Sequence, residues 1–244
     1  GMVFDTRVAR ALNLQPEGSL ELRGAARTAA LGVVQTPDVE IGGVTIPSHI
    51  ATVVDLSSIV RSNIALDGII GFPLFAGAEL RFDPDAHTVT IAKPGSLAQL
   101  GTKFDVDTDR ELPELTASAD MTPARFVVDT GNANEVLLFR SFMDAHPGLI
   151  SFAGHGFIAN RGVGGSAAAV GATLDDLTIG PYHFYNCNAN VMLATGGAFA
   201  DRTDGGNIGF GVLQNFVMTF DLSHHALFLE KARRFDDGRG RPVQ

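Results

Sequence analysis

The chain has 244 residues, of which 45% are apolar and 18% are charged, and its 27 acids against 18 Lys and Arg give a net charge of −9. That length suits one large domain or two domains of ordinary size. The acidic balance argues against nucleic acid as a partner, since phosphate contacts dominate its affinity, and no stretch approaches the roughly 20 apolar residues of a membrane span.

Short runs rich in Val, Ile, Thr and Phe alternate with Gly, Pro and Asp clusters, which predicts a mainly β protein. An amphipathic pattern predicts a short helix over residues 3–14. The strand and hairpin patterns that follow cover residues 18–34, residues 39–43 with a Gly-Gly turn, residues 50–56, and residues 78–91 with a Pro84-Asp85 turn.

Residues 93–113 are polar and rich in turn formers, which predicts a boundary. We expect an N-terminal lobe over residues 1–103, a C-terminal lobe over residues 104–234, and a polar, frayed tail over residues 235–244. In the second lobe, strands resume at Leu115, and a strand end and short helix follow between Glu135 and His146.

The run Phe126-Val127-Val128-Asp129-Thr130-Gly131 is the main chemical motif. Its β-branched residues predict a strand that ends at Asp129. Gly131 permits a close backbone approach and Thr130 can hold the turn through its hydroxyl. A carboxylate at a strand end in apolar surroundings is a candidate catalytic group, although the tripeptide taken alone is more often an ordinary turn.

An internal repeat strengthens the interpretation of this motif as a functional site. Residues 39–93 align with residues 177–231 without a gap, at a constant shift of 177 − 39 = 138. The matched positions include Ile41-Gly42 with Ile179-Gly180, Gly68 with Gly206, Ile70-Gly71-Phe72 with Ile208-Gly209-Phe210, Phe82-Asp83 with Phe220-Asp221, and His87 with His225. We infer two similar β lobes.

The same shift places the counterpart of Asp129 at 129 − 138 = −9, ahead of the first residue. Aligning Phe142–His146 with Val8–Leu12 moves that position only slightly. Asp5-Thr6-Arg7 lies well past it and has Arg where Gly is needed. We therefore do not expect Asp5 to be a second catalytic carboxylate.

With these motifs the chain resembles a two-lobed aspartic protease of the retropepsin/pepsin type, closest to bacterial retropepsin-like proteins with two fused lobes. The second lobe carries Val127-Val128-Asp129-Thr130-Gly131 and the later partner Asn207-Ile208-Gly209, and the first lobe carries the partner Ile69-Ile70-Gly71. The resemblance implies a mainly β, duplicated two-lobed acid-protease-like β-barrel fold with a short helix per lobe.

The resemblance also implies a mechanism in which two paired Asp carboxylates share a proton and activate a water. Thr130 would then hydrogen-bond across to the other lobe. The substrate would be an extended peptide or protein, closed over by a glycine-rich hairpin at residues 162–171, with Gly162, Gly164 and Gly165 as binding positions, and by Arg23–Gly32 in the first lobe. A plain surface hairpin is the alternative for either stretch. No cofactor is implied, and a monomer is expected.

This chain shows only half of that pair, and Asp129 alone should not hydrolyse peptides. We expect that the natural protein is longer and carries the first Asp-Thr-Gly upstream of Gly1-Met2, which reads as a cloning remnant. Natural processing of upstream residues, or a non-catalytic peptide-binding pseudoprotease, are the alternatives, and a structural β domain is a third class. The sequence does not indicate the cellular compartment, and a signal peptide farther upstream would indicate export to the periplasm or beyond.

Three other motifs give weaker indications of function than the Asp129 motif. Gly162-Val163-Gly164-Gly165-Ser166 lacks the Lys-Ser/Thr that completes a phosphate loop. His224-His225 match a hairpin turn in the repeat, with no nearby ligand cluster, so we expect no metal site. Cys187 is single, which excludes an internal disulfide, and its apolar surroundings predict a buried side chain.

Overall fold

The computed structural model describes residues 1–24, 28–59, 65–110, 112–152, 156–163, 165–200 and 203–239. The described residues are mainly β, as predicted, with only three short α-helices. The strands of the N-terminal half are β1 (Met2–Asp5), β2 (Gly18–Arg23), β3 (Thr28–Gln35), β4 (Val39–Ile41), β5 (Val44–Ile46), β6 (Ile50–Val54), β7 (Gly68–Ile70), β8 (Glu79–Asp83) and β9 (Thr88–Ala92).

The C-terminal half follows from residue 102. Its strands are β10 (Thr102–Asp105), β11 (Glu114–Ala119), β12 (Thr122–Asp129), β13 (Val136–Leu138), β14 (Phe157–Gly162), β15 (Gly165–Ile179), β16 (Tyr182–Met192), β17 (Gly206–Gly209), β18 (Phe216–Asp221) and β19 (Ala226–Lys231). The α-helices of the two halves are α1 (Thr6–Ala11), α2 (Arg140–Ala145) and α3 (Phe210–Leu213). Short 3₁₀ turns cover Leu56–Ser58, Phe72–Phe75, Ala198–Ala200 and Leu222–His224.

The N-terminal half forms a five-stranded sheet, the N sheet, in the order β2-β3-β6-β1-β7. β1 lies between β6, to which it is parallel, and β7, to which it is antiparallel. The hairpin predicted over residues 18–34 is confirmed as β2 and β3. The strand predicted to enter the Gly42-Gly43 turn is confirmed as β4, which pairs with β5 across that turn.

The C-terminal half forms a seven-stranded sheet in the order β11-β12-β17-β13-β16-β15-β14. Because β11 also pairs with β15, six of these strands close into a barrel and β14 is attached to its rim. Closure removes the unpaired edges that an open sheet exposes. The largest fully buried side chains of the protein lie mostly in this half, and they include Phe126, Leu138, Leu174, Ile208 and Phe216.

The N sheet has the same strand order and directions as part of the barrel, with β2-β3-β6-β1-β7 matching β14-β15-β16-β13-β17. The register matches as well: Gly32 pairs with Val53, and Val170 pairs with Val191, so both partners differ by 138. β11 and β12 have no counterpart among the described residues of the N sheet. The outer edge of β7 is therefore unpaired there, whereas β17 pairs with β12.

Two prolines explain where the halves differ. β15 and β16 run continuously, but the matching chain of the N sheet is split into β3 and β4 and into β5 and β6. Pro37 and Pro47 lie in the two gaps, at positions where the barrel has Asp175 and Tyr185. Proline lacks the N–H that a strand ladder needs, so it interrupts pairing.

Both halves share a third sheet, the central sheet, in the order β10-β19-β18-β8-β9. β8 and β9 confirm the hairpin predicted through Pro84-Asp85. β18 pairs antiparallel with β8, Arg81 lies opposite Thr219, and Arg81 Nε donates a 3.0 Å hydrogen bond to Thr219 Oγ1. Because 219 − 81 = 138, this pair lies on the pseudo-twofold axis that relates the halves.

Three expectations differ from the structure. The helix predicted over residues 3–14 is only α1, because Met2–Asp5 pairs with β6 and β7 and Asp5 caps the helix by accepting from Arg7 N. The stretch 93–113, where no strand was predicted, contains β10, which pairs with β19, while the lobe boundary predicted there stays a prediction. The tail is anchored as far as residue 239, since Phe235 packs on Phe216 and Tyr185 N donates to Asp237 O.

Candidate functional site

Asp129 is the last residue of β12, as the β-branched run before it predicts. Phe126, Val127 and Val128 are buried, whereas Asp129 is half-buried and Gly131 is exposed. β12 runs parallel to β17, with Asp129 opposite Gly209. The carboxylate therefore emerges from the barrel where two predicted motifs meet, and Ile208 and Gly209 support it from the neighbouring strand.

Both oxygens of Asp129 accept hydrogen bonds. Gly131 N donates to Oδ1 over 2.9 Å, and Asn207 Nδ2 donates to Oδ2 over 2.8 Å. The Asn132 N–H also donates to the backbone carbonyl of Asp129 over 3.2 Å. The turn after β12 thus folds back on the carboxylate and fixes its direction, which is the behaviour expected of an Asx-type turn.

Glycine is required where β17 packs against the turn. A Cβ at Gly209 would lie 2.1 Å from Asn134 O, and one at Gly206 would lie 1.9 Å from Leu137 O. The N sheet repeats this geometry, because a Cβ at Gly71 would lie 2.7 Å from Gly1 O. Gly71 N donates to Gly1 O just as Gly209 N donates to Glu135 O. The motif positions Ile70 and Gly71 therefore occupy the same place in their sheet as Ile208 and Gly209.

Five asparagines surround this site, and the sequence motifs included only one of them, Asn207. Asn132 and Asn134 follow the Asp129 turn, Asn160 lies on β14, Asn190 on β16 and Asn207 on β17. Starting at β16, Asn190 Nδ2 donates to Asn134 Oδ1, Asn134 Nδ2 to Asn132 Oδ1, and Asn132 Nδ2 to Asn207 Oδ1, over 2.9, 2.7 and 3.2 Å. We name these four residues the asparagine chain; it ends on Asp129.

The glycine-rich hairpin is present as β14 and β15, with Gly162 opposite Gly165. Gly165 has a φ of +118°, a conformation that favours glycine. Gly164 lies outside the described residues. At the base of β14, Phe157 is 83% exposed and Ile158 is 39% exposed, which leaves an apolar surface on the hairpin. The matching first-lobe stretch is β2 and β3, whose tip at residues 25–27 also lies outside the described residues.

Thr130 is exposed, and among the described residues its hydroxyl has no hydrogen-bond partner. Its predicted bond to the other half therefore stays a prediction.

Asp5 has a structural role and is not part of the candidate site. Its Oδ1 accepts from Arg7 N and its Oδ2 from Leu56 N, both over 2.9 Å. Burial raises the pKa of this carboxyl, but the hydrogen bonds from Leu56 and Arg7 and the charge of Arg7 outweigh burial and leave the pKa below its ordinary value. In the sheet register Asp5 matches Phe139, not Asp129, so it is a helix cap.

A cluster of charged side chains connects β12, the strand that ends at Asp129, with the two neighbouring strands β11 and β17. Glu114 on β11 and Asp204 before β17 are almost fully buried. Arg110 binds both carboxylates through NH2, and Arg125 lies 3.5 Å from Glu114 and 3.6 Å from Asp204. The hydrogen bond to Glu114 raises the pKa of Arg110. The cluster ties β11, β12 and β17 together.

A cavity of about 620 Å³, which Asp129 does not line, lies between the turn of the β8–β9 hairpin and α3. Its lining includes Asp83, His87, Phe210 and Arg234 but no residue of the β14–β15 hairpin. Within the described ranges no three His, Cys, Asp or Glu side chains are grouped to hold a metal ion. Nor do those ranges contain a helix with the length and apolarity needed to cross a membrane.

The chain matches no protein-family model and no curated protein. Among solved structures it is similar to a retropepsin-like aspartic protease from Rickettsia conorii, with 22% sequence identity and a TM-score of 0.37. The match covers 52% of this chain and 87% of that one. At this level of likeness, the function has to be inferred from the contacts of this chain.

Proposed function

We propose that this protein supplies Asp129 as one carboxylate of an aspartic endopeptidase site. The observation that carries the proposal is the fixed orientation of the Asp129 carboxylate. It accepts hydrogen bonds from Gly131 N and Asn207 Nδ2 at the end of a buried strand. A carboxylate held this way keeps its direction during the reaction, which is what a positioned acid or base requires.

The chemistry needs a second carboxylate, and the pseudo-twofold relation of the halves indicates where it would lie. Val3 pairs with Ile69 and Leu137 pairs with Asn207, so Val3 matches Leu137 at a shift of 137 − 3 = 134. The counterpart of Asp129 is then position 129 − 134 = −5, four residues nearer than the repeat alone suggests. Its strand would lie on the edge of β7 that has no partner among the described residues, as β12 lies on β17.

We therefore propose that the second Asp-Thr/Ser-Gly belongs to polypeptide that precedes Gly1 in the natural protein, and that the two halves arose by duplication. With both acids present, the ionised one takes a proton from water while the oxygen of that water bonds to the peptide carbonyl carbon. The proton of the other acid passes to the carbonyl oxygen. The first acid then passes the proton it took from water to the nitrogen, and the C–N bond breaks as a carbonyl re-forms and one diol hydroxyl returns its proton to the second acid, which gives a carboxylic acid and an amine.

An extended peptide fits the surroundings of Asp129. The β14–β15 hairpin lies next to β16, and Asn160 on β14 accepts a hydrogen bond from Asn134, a member of the asparagine chain that ends on Asp129. Extended peptides bind such hairpins through main-chain hydrogen bonds, and glycine-rich tips allow close approach. We propose Gly162, Gly164 and Gly165 as the positions that close over the substrate.

The test uses the chain expressed from its natural reading frame, incubated with a mixed peptide library at pH 4 to 7 and followed by mass spectrometry. We expect internal peptide bonds to be cleaved, and Asp129→Asn to reduce the rate by about 10²-fold or more. Asp144→Asn on α2, whose carboxylate is exposed and pairs with Arg140, is the matched control and should retain the rate. Cleavage that survives Asp129→Asn would refute the proposal.

A peptide-binding pseudoprotease is the second candidate. It is favoured by Phe157 and Ile158 on β14, whose exposed side chains give the hairpin an apolar surface that a bound peptide could contact without being cleaved. If the protein is a pseudoprotease, we expect the natural protein to bind library peptides without cleaving them. Cleavage that depends on Asp129 excludes it.

A further inference from the structure

The hydrogen bonds of the asparagine chain all run in one direction. From Asn190 through Asn134 and Asn132 to Asn207, each side-chain NH₂ donates to the carbonyl oxygen of the next amide, and the last NH₂ donates to Asp129 Oδ2. A carboxylate only accepts hydrogen bonds, so Asn207 must turn its NH₂ to Asp129. That choice fixes the orientation of every amide behind it.

Burial makes this arrangement costly to break. Asn132 and Asn207 are 9% and 6% exposed, and buried polar groups that lose their partners destabilise a protein by about 1–3 kcal/mol each. Aligned hydrogen bonds also polarise and strengthen one another in a poorly solvated site. Rotation of the Asp129 carboxylate would therefore disturb the whole chain.

Asn160 connects the chain to the hairpin. It lies on β14, is 8% exposed, and its Oδ1 accepts from both Asn134 Nδ2 and Asn190 Nδ2 over 3.2 Å. Its own NH₂ faces the Met192 sulfur at 3.4 Å. A movement of β14 is thus transmitted to Asn134, which is two amides away from Asn207.

The fold itself does not require the amides of Asn190 and Asn207. The N sheet has Ile69 where the barrel has Asn207, and Thr52 where it has Asn190, although the strands pair in the same register. An apolar side chain and a hydroxyl therefore satisfy the same packing positions. At these two positions the asparagines occur only in the half that carries Asp129.

We propose that the asparagine chain is a positioning device: Asn207 holds the Asp129 carboxylate in one orientation, and Asn160 couples that orientation to the β14–β15 hairpin. The asparagines are positioning residues: Asn207 orients the Asp129 carboxylate by a direct hydrogen bond, and the other asparagines act on the carboxylate only through Asn207. The consequence for catalysis rests on the proposed function, but the positioning itself does not.

The test is NMR on the ¹⁵N-labelled full chain, which reads the side-chain NH₂ signals of Asn207 directly. Asn134→Ala removes the middle of the chain and leaves Asn207 and Asp129 intact. We expect the Asn207 NH₂ signals to move and their exchange with water to quicken by about tenfold or more. Asn188→Ala, an exposed asparagine on the same strand as Asn190, is the control and should leave them unchanged. Unchanged Asn207 signals in folded Asn134→Ala would overturn the proposal.

If Asn134→Ala fails to fold, Asn190→Thr serves instead, because the N sheet carries Thr52 at the matching position. It should also perturb the Asn207 signals, and their persistence would again overturn the proposal. Once peptide cleavage is measured, the same variants should lower kcat while KM stays near its original value, since the chain orients the carboxylate and does not contact substrate. Absence of cleavage would refute the proposed function but leave the NMR result decisive for the asparagine chain.

Discussion

The charge cluster on the barrel gives the sharpest test of the packing around Asp129. Arg110 binds two almost fully buried carboxylates, Glu114 and Asp204, with a single nitrogen. Replacing it by methionine keeps most of the apolar stem but leaves both acids short of a partner. We expect Arg110→Met to lower the free energy of unfolding by about 2–3 kcal/mol.

The magnitude follows from the burial of the three groups. One pair of unit charges about 4 Å apart is worth about 4 kcal/mol at the effective dielectric constant of a protein surface, before desolvation is counted. Loss of one partner from a fully buried pair costs about 3–5 kcal/mol. The Arg110 side chain is 38% exposed, and Arg125 still faces both acids, so solvent and the second arginine reduce that cost.

Urea unfolding at pH 7 and thermal scans measure this loss, which should lower Tm by about 5–10 °C for a chain of this size. Arg140→Met is the matched control, because its partner on α2 is exposed, and its loss should stay below about 0.5 kcal/mol. In a Glu114→Gln, Asp204→Asn background the effect of Arg110→Met should nearly vanish. Equal losses for Arg110→Met and Arg140→Met would refute the reasoning.

Two further changes test the fold. Gly206→Ala puts a Cβ 1.9 Å from Leu137 O and should cost about 3 kcal/mol in urea unfolding, whereas Gly77→Ala meets nothing within 4 Å and should change stability by less than about 0.5 kcal/mol. Burial raises the pKa of Asp221, but hydrogen bonds from His224 outweigh it and leave the pKa below the ordinary 3.8. Because the folded pKa is the lower one, its stabilisation is complete above pH 3.8 and is lost as pH falls through the folded value. Asp221→Asn should therefore destabilise the protein at pH 6, by about 1 kcal/mol, and the gap to the wild type should close below about pH 4; a constant gap would contradict this.

The parts of the fold that the sequence predicts are those set by local patterns. β12 and the β8–β9 hairpin follow from β-branched runs and turn residues, and the glycines of β7 and β17 stand out in the repeat. Residues 3–5 were predicted as helix because their pairing with β6 and β7 is a tertiary contact that no local pattern encodes. β10 was hidden for a similar reason, since a short polar strand is recognisable only by its partner β19.

The asparagine chain shows the same limit at the site. Its members lie between residues 132 and 207, on two strands and a turn, and an asparagine in a loop or strand is unremarkable by itself. Their association depends on the parallel pairing of β12 with β17 and of β13 with β16. Asp129 was predictable because its signal is contiguous, whereas its surroundings are assembled from distant parts of the chain.

The Arg81–Thr219 pair on the pseudo-twofold axis has a consequence for how the molecule is built. In a symmetric pair of identical subunits, the residue at this position would face its own copy, and two arginines in contact would repel. Arg81 Nε instead donates to a threonine hydroxyl, and its NH2 donates to Ala98 O in the segment that leads to β10. Identical subunits cannot form this unequal contact, whereas a single polypeptide that carries both halves can, so covalent linkage of the halves allows a central bond that a symmetric homodimer could not make.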